Sequence, residues 1–137
     1  RREHHGQADV RGGRGQLARE APFHTPVFVL TKEVRKPWQR KGGTTFHFVN
    51  DGIESALAKA REAAGAKDVR VCGGRNVVLQ YLEAGHLDEL SLDVAPVFLG
   101  EGLRLFEGLD HRKVAFEILD STSSPAVTHV RYAVKRR

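Results

Sequence analysis

The sequence predicts an α/β fold of strands interleaved with helices, the order of the sheet left open by a two-strand start, with an antiparallel strand pair at its C-terminal end. Three observations carry this. Short β-rich runs at residues 26–31, 44–49 and 69–72 are interleaved with two stretches of helical period, one after Asp51 and one after Gly74. The run at 26–31 is apolar on both faces, as a strand in the middle of a parallel sheet is. The last two runs, 114–119 and 127–134, alternate with a period of two around Ser123-Ser124-Pro125, which is the pattern of a hairpin.

Each element has its own warrant. Pro26-Val27-Phe28-Val29-Leu30-Thr31 is the first strand, and Gly42-Gly43 turns the chain into the second, Thr44-Thr45-Phe46-His47-Phe48-Val49. His47 is a packed strand residue. Asp51-Gly52-Ile53-Glu54 is a D-x-x-E capping pattern that opens a helix. Ile53, Ala56, Leu57, Ala60 and Ala64 fall on one face of it, and Gly65 closes it. Residues 69–72 form the third strand. The second helix buries Val77, Val78, Tyr81 and Leu82 and ends at Gly85. In residues 87–96, Leu90, Leu92 and Val94 alternate with Ser91 and Asp93 as a fourth strand with one apolar face. Residues 97–102 are a glycine-bearing loop, 103–106 an anchoring turn, and 135–137 a solvated end.

At 137 residues the chain is one domain at most. Residues 1–25 have no period and few large apolar side chains, so they form an irregular basic segment ahead of a folded part at 26–137. The absence of methionine points to a fragment or a processed start. No apolar run approaches the roughly 20 residues of a membrane span, and no secretory signal is visible. A single cysteine, Cys72, excludes an internal disulfide and suits the reducing cytoplasm.

The net charge of +5 is unevenly placed: residues 1–43 hold ten Lys/Arg against four Asp/Glu. Arg11-Gly12-Gly13-Arg14-Gly15 has the look of a nucleic-acid segment, but no aromatic stacking cluster accompanies it, which disfavours such a partner. His4-His5 lacks further ligands at metal spacing, so no metal site is assigned.

Two stretches suit phosphate. Val71-Cys72-Gly73-Gly74-Arg75-Asn76 reads as strand, glycine pair and helix start. Its glycines let a ligand approach the backbone, and the helix start offers N–H groups and a positive dipole end. Thr31-Lys32-Glu33-Val34-Arg35-Lys36 places a hydroxyl and several cations at a strand's C-terminal end, the edge where ligands collect in open α/β sheets. Read alone, a Gly-Gly between strand and helix is more often a tight turn than a phosphate site, and the Thr31 stretch is equally a solvated turn before Pro37-Trp38.

The string Val71-Cys72-Gly73-Gly74, then Leu82-Glu83-Ala84-Gly85-His86-Leu87-Asp88-Glu89-Leu90, then Ala95-Pro96-Val97-Phe98-Leu99-Gly100-Glu101-Gly102 and Leu105-Phe106 resembles one family. It is similar to the C-terminal reductase domain of the riboflavin-biosynthesis deaminase/reductase, and more closely to the stand-alone dihydrofolate-reductase-like branch. The likeness covers residues 23–134. It implies an NADPH-dependent reductase with a mostly parallel sheet flanked by helices and an antiparallel C-terminal strand pair, usually a homodimer, passing hydride to a small heterocyclic or carbonyl substrate. By the resemblance, Thr31 and Lys32 lie near the adenosine ribose and its 2′-phosphate. Cys72, Gly73, Gly74, Arg75 and Asn76 lie at the pyrophosphate, and Gly100, Glu101 and Gly102 on the nicotinamide and substrate side. Cys72 stands where the riboflavin branch often carries a carboxylate, which favours the stand-alone branch. The family's N-terminal strand and helix have no counterpart in residues 1–22; they would supply the central strand and an acidic residue near the substrate. No catalytic residue is assigned. The alternative is a catalytically inactive nucleotide-binding or dimerisation remnant.

Overall fold

Strand β1, Val27–Leu30, opens the part of the chain that the computed structural model describes, residues 24–137. The calls on residues 1–23, including the Arg-Gly run and His4-His5, lie outside the described residues. The chain divides into two compact units at Val78/Leu79, within its second helix.

The first unit is built on a three-stranded sheet. β1 pairs in parallel with β3, Thr45–Val49, in the register Val27↔Phe46 to Leu30↔Val49. A two-residue strand for which the sequence reading held no expectation, β2 (Trp38–Gln39), pairs antiparallel with β3 on its other side, Trp38 opposite Phe46. The order is therefore β1-β3-β2. The double-sided apolarity of β1 is reflected in Val27 and Phe28, both buried. His47 is half-buried and stacks on Phe28, with ring centroids 5.1 Å apart. The Gly42-Gly43 turn is tied down by its own backbone, Gly43 N–H donating to Arg40 carbonyl at 3.3 Å, and by the His24 ring on the Gly42 carbonyl.

Helix α1, Ile53–Ala64, buries Ala56, Leu57 and Ala60, the face the period of 3.6 marks, and Gly65 closes it by donating its N–H to the Arg61 carbonyl at 3.0 Å. Its start differs from the expected capping box. Gly52 is the N-cap and no side chain caps it. Asp51 lies one residue further out, where its carboxylate meets Ser55 and stands 3.8 Å from Lys59 Nζ. The Ser55 hydrogen bond, ahead of the Lys59 charge, holds Asp51 below the ordinary carboxylate range.

Residues 69–72, expected as the third strand, have Val69, Val71 and Cys72 half-buried and Arg70 exposed, but they carry no strand ladder. A short apolar run marks side chains that turn inward; a ladder also needs a neighbouring backbone to bond to. Helix α2, Arg75–Ala84, follows directly. Its buried residues are Val77, Leu79, Tyr81 and Leu82; Leu79 takes the place expected for Val78, which is half-buried. The helix ends in a Schellman arrangement: His86 N–H donates to the Tyr81 carbonyl at 2.9 Å and Gly85 N–H to the Leu82 carbonyl at 3.1 Å. This turn needs a positive φ, and Gly85 supplies it at +75°.

The second unit carries an antiparallel sheet of order β4-β6-β5, from β4 (Glu89–Val94), β5 (Val114–Ser123) and β6 (Thr128–Arg136). The expected hairpin is present. Ser124 N–H bonds the Val127 carbonyl at 2.9 Å, and the Ser124 hydroxyl accepts from the Val127 N–H at 3.1 Å. β5 runs past the expected Leu119 because a bulge between Ile118 and Asp120 absorbs one residue and lets pairing continue to Ser123. On the apolar face, Phe116 lies between Phe106 and Tyr132, 5.5 and 5.6 Å away between ring centres. The C-terminal cations are not simply solvated. Lys135 and Arg136 belong to β6, and the Arg136 guanidinium lies against Gly85 and donates to the Glu83 carbonyl at 3.4 Å. The α/β class and the antiparallel terminal pair thus hold. The strands are shared between two small sheets, and β1–β3 is the parallel pair among the described residues.

Candidate functional site

The glycine corner is local in origin. Gly73 adopts φ +93°, and the Gly73–Gly74 peptide is cis. α2 begins at the next residue, and its ladder opens on the Gly74 carbonyl, which accepts from the N–H groups of Val77 and Val78 at 3.1 Å each. The amides of residues 74–76 therefore precede the helix's own bonding pattern. A Cβ added at Gly73 or Gly74 would meet no other atom within 4 Å, so the space over this backbone is open. The first turn of α2 carries no carboxylate. It carries Arg75, whose guanidinium donates to Asn76 Oδ1 at 3.3 Å. Dipole and side-chain charge here have the same sign, and both attract an anion. Cys72, half-buried and in no disulfide, immediately precedes this corner in the chain.

Thr31 follows β1. Its N–H donates to the Val49 carbonyl at 3.0 Å, and its hydroxyl accepts the Glu33 N–H at 3.1 Å. This small turn holds Lys32 out at the surface. Thr31, Lys32 and residues 72–76 all belong to the first unit; Gly100, Glu101 and Gly102 belong to the second, in an exposed loop where Gly100 has φ +77°. In that loop Val97, Phe98, Leu99 and Leu103 are each more than 60% exposed.

Two arrangements escaped the sequence reading. One is a cationic, aromatic trough formed by Arg35, Lys36, Pro37, Trp38 and Phe48. The missed signal was the alternation of Trp38 with Phe46 and Phe48 across a short strand. The other is a cross-strand pair in which His129 Nδ1 lies 2.6 Å from Asp93 Oδ1, the two residues standing opposite each other in the β4–β6 register. Polar positions at matching places on two antiparallel strands were its only trace. Among the described residues, no group of three His, Cys, Asp or Glu side chains could hold a metal, and no helix is long and apolar enough to cross a membrane.

This architecture has known counterparts. The structure is similar to that of a Shewanella sp. PV-4 protein provisionally named for riboflavin biosynthesis, at TM-score 0.72 and 22% identity over 96% of this chain and 75% of that one. It is also similar to the riboflavin biosynthesis reductase Rib7 of Saccharomyces cerevisiae, at TM-score 0.53 and 16% identity over 81% of this chain and 55% of that one. In sequence, the uncharacterized protein YyaP of Bacillus subtilis is 32% identical over 85 residues, which are 62% of this chain and 45% of YyaP. The chain thus spans under half the length of that relative. The sequence model of the RibD C-terminal domain matches residues 10–130, starting ahead of Phe23, where the resemblance had been placed. With nearly its whole length matched and the corresponding fold in place, the chain belongs to the RibD C-terminal domain family.

Proposed function

We propose that this chain is an NADPH-dependent reductase domain of the cytoplasm, acting on a small heterocyclic or carbonyl substrate. The observation that carries the reading is the open, carboxylate-free glycine corner at the start of α2. The cofactor's pyrophosphate is assigned to the amides of Gly73, Gly74, Arg75 and Asn76, beside Cys72. There the backbone approaches without side-chain interference and the Arg75 charge adds to the dipole. Thr31 and Lys32 are assigned to the 2′-phosphate: the hydroxyl has a donor of its own, and the ammonium is the point charge a phosphate monoester needs. Gly100, Glu101 and Gly102 are assigned to the substrate side. When bound, NADPH supplies the hydride, and the protein's task is to position the ring and substrate. A second copy of the chain is the proposed partner.

The test is a melting experiment with NADPH and NADH. A ligand at a hundredfold excess over its Kd stabilises the native state by about 2.7 kcal/mol, a Tm rise of several degrees. The expected result is a clear rise with NADPH and a much smaller one with NADH; Lys32→Glu removes the difference. No rise at millimolar NADPH refutes the cofactor assignment. A second reading, a nucleotide-binding remnant without turnover, is favoured by the division of the strands between two small sheets. It predicts the same melting shift, with no loss of NADPH absorbance against a panel of heterocycles and carbonyls.

A further inference from the structure

The first unit holds a third anion-suited feature, away in sequence from the glycine corner and following the Thr31-Lys32 turn. Residues 35–41, Arg-Lys-Pro-Trp-Gln-Arg-Lys, contain four cations and no carboxylate. Folding sets this run against two rings of the sheet. The Arg35 guanidinium lies 4.6 Å from the centre of the Phe48 ring, and the Arg40 guanidinium 4.2 Å from that of Trp38. Trp38 in turn leans on Phe46, with centroids 5.9 Å apart, and remains 43% exposed. The result is a trough of about 450 Å³, open to solvent, walled by Arg35, Lys36, Pro37, Trp38 and Phe48.

We propose that this trough binds single-stranded nucleic acid. Guanidinium planes and aromatic faces are both stacking platforms for bases, and every base offers a face to them. Lys36 and Lys41, exposed at either side of Trp38 in the chain, are placed to neutralise phosphates. Two features favour a strand over a single nucleotide. The trough is open rather than enclosing, whereas small-ligand pockets bury most of their ligand. Four cations also exceed what one phosphate requires, and they match a row of phosphates. The basic surplus of residues 1–43 continues the same sign. The sequence reading set nucleic acid aside for want of aromatic residues near the N-terminal cations; the fold brings cations and rings together further along.

Trp38 is the only tryptophan, so its emission reports on this trough and nowhere else. The experiment titrates the full chain with oligo(dT) and oligo(U) of twelve nucleotides, with their duplexes, and separately with thymidine monophosphate. Saturable quenching by the single strands is expected. Four neutralised phosphates give a salt slope of about −3, so affinity falls roughly 50-fold between 50 and 200 mM salt. The double variant Arg35→Glu/Lys36→Glu, changed only at exposed positions, keeps its Tm and its NADPH shift, loses at least tenfold in affinity and shows about half the salt slope. Absence of quenching by the oligonucleotides overturns the proposal. So does equal binding of duplex, equal quenching by thymidine monophosphate, or a double variant that binds as before. None of these outcomes bears on the glycine corner, which the NADPH melting shift tests by itself.

Discussion

Gly74→Asp should separate folding from cofactor binding, leaving the melting temperature equal or slightly raised while NADPH affinity drops at least a hundredfold. Gly74 is the residue just before α2, outside the left-handed region, and no atom lies within 4 Å of where its Cβ would be. Aspartate is therefore tolerated sterically. At a helix N-cap it is a better residue than glycine by a few tenths of a kcal/mol, since its carboxylate accepts from amides of the first turn. Those are the amides assigned to the pyrophosphate. The new carboxylate competes for them and repels the ligand: two unit charges about 5 Å apart at an effective dielectric near 20 oppose each other by about 3 kcal/mol. Isothermal titration with NADPH, alongside melting of the same protein, reads both effects. Affinity within threefold of the parent chain would show that the diphosphate does not rest on this backbone. A fall in Tm would show instead that the corner had been distorted.

Phe46→Ala should cost about 3–5 kcal/mol, the usual penalty for removing a buried aromatic ring. Phe46 is 2% exposed and is the central residue of the first sheet, with Val27 opposite on one side and Trp38 on the other. For a chain of this size the corresponding Tm loss is roughly 10–20 °C. Trp38 emission should also shift to the red in the native state, because its ring partner is gone. The trough should then lose oligonucleotide quenching, while Phe46→Leu recovers most of the stability. A Tm loss under 3 °C would show that the β2–β3 contact contributes little to the fold.

How far the sequence could be read follows from what each signal encodes. The buried face of α1 was legible because Ala56, Leu57 and Ala60 repeat at helical spacing and nothing competes with that period. The hairpin was legible because Ser124 and Pro125 can only turn. Residues 69–72 were misread as a strand because a short apolar run reports burial and is silent about a neighbouring backbone. Asp51 was misread as a cap because Gly52 also suits that place, and one residue of register decides between them. Arg136 was read as solvated because a cation at the end of a chain has no local partner; its contact with Gly85 and Glu83 comes from far along the sequence. Of the site, the glycine corner was visible as a motif. The trough was not, since cations and rings that are interleaved in the chain give no sign of which will stack.

The bare apolar loop has a practical consequence. With Phe98 wholly exposed and Val97, Leu99 and Leu103 beside it in the chain, the native protein offers environment-sensitive dyes a place to bind before any unfolding begins. Melts followed with such dyes would start from a bright baseline and understate every ligand effect. Calorimetry or the intrinsic emission of Trp38 avoids that artefact.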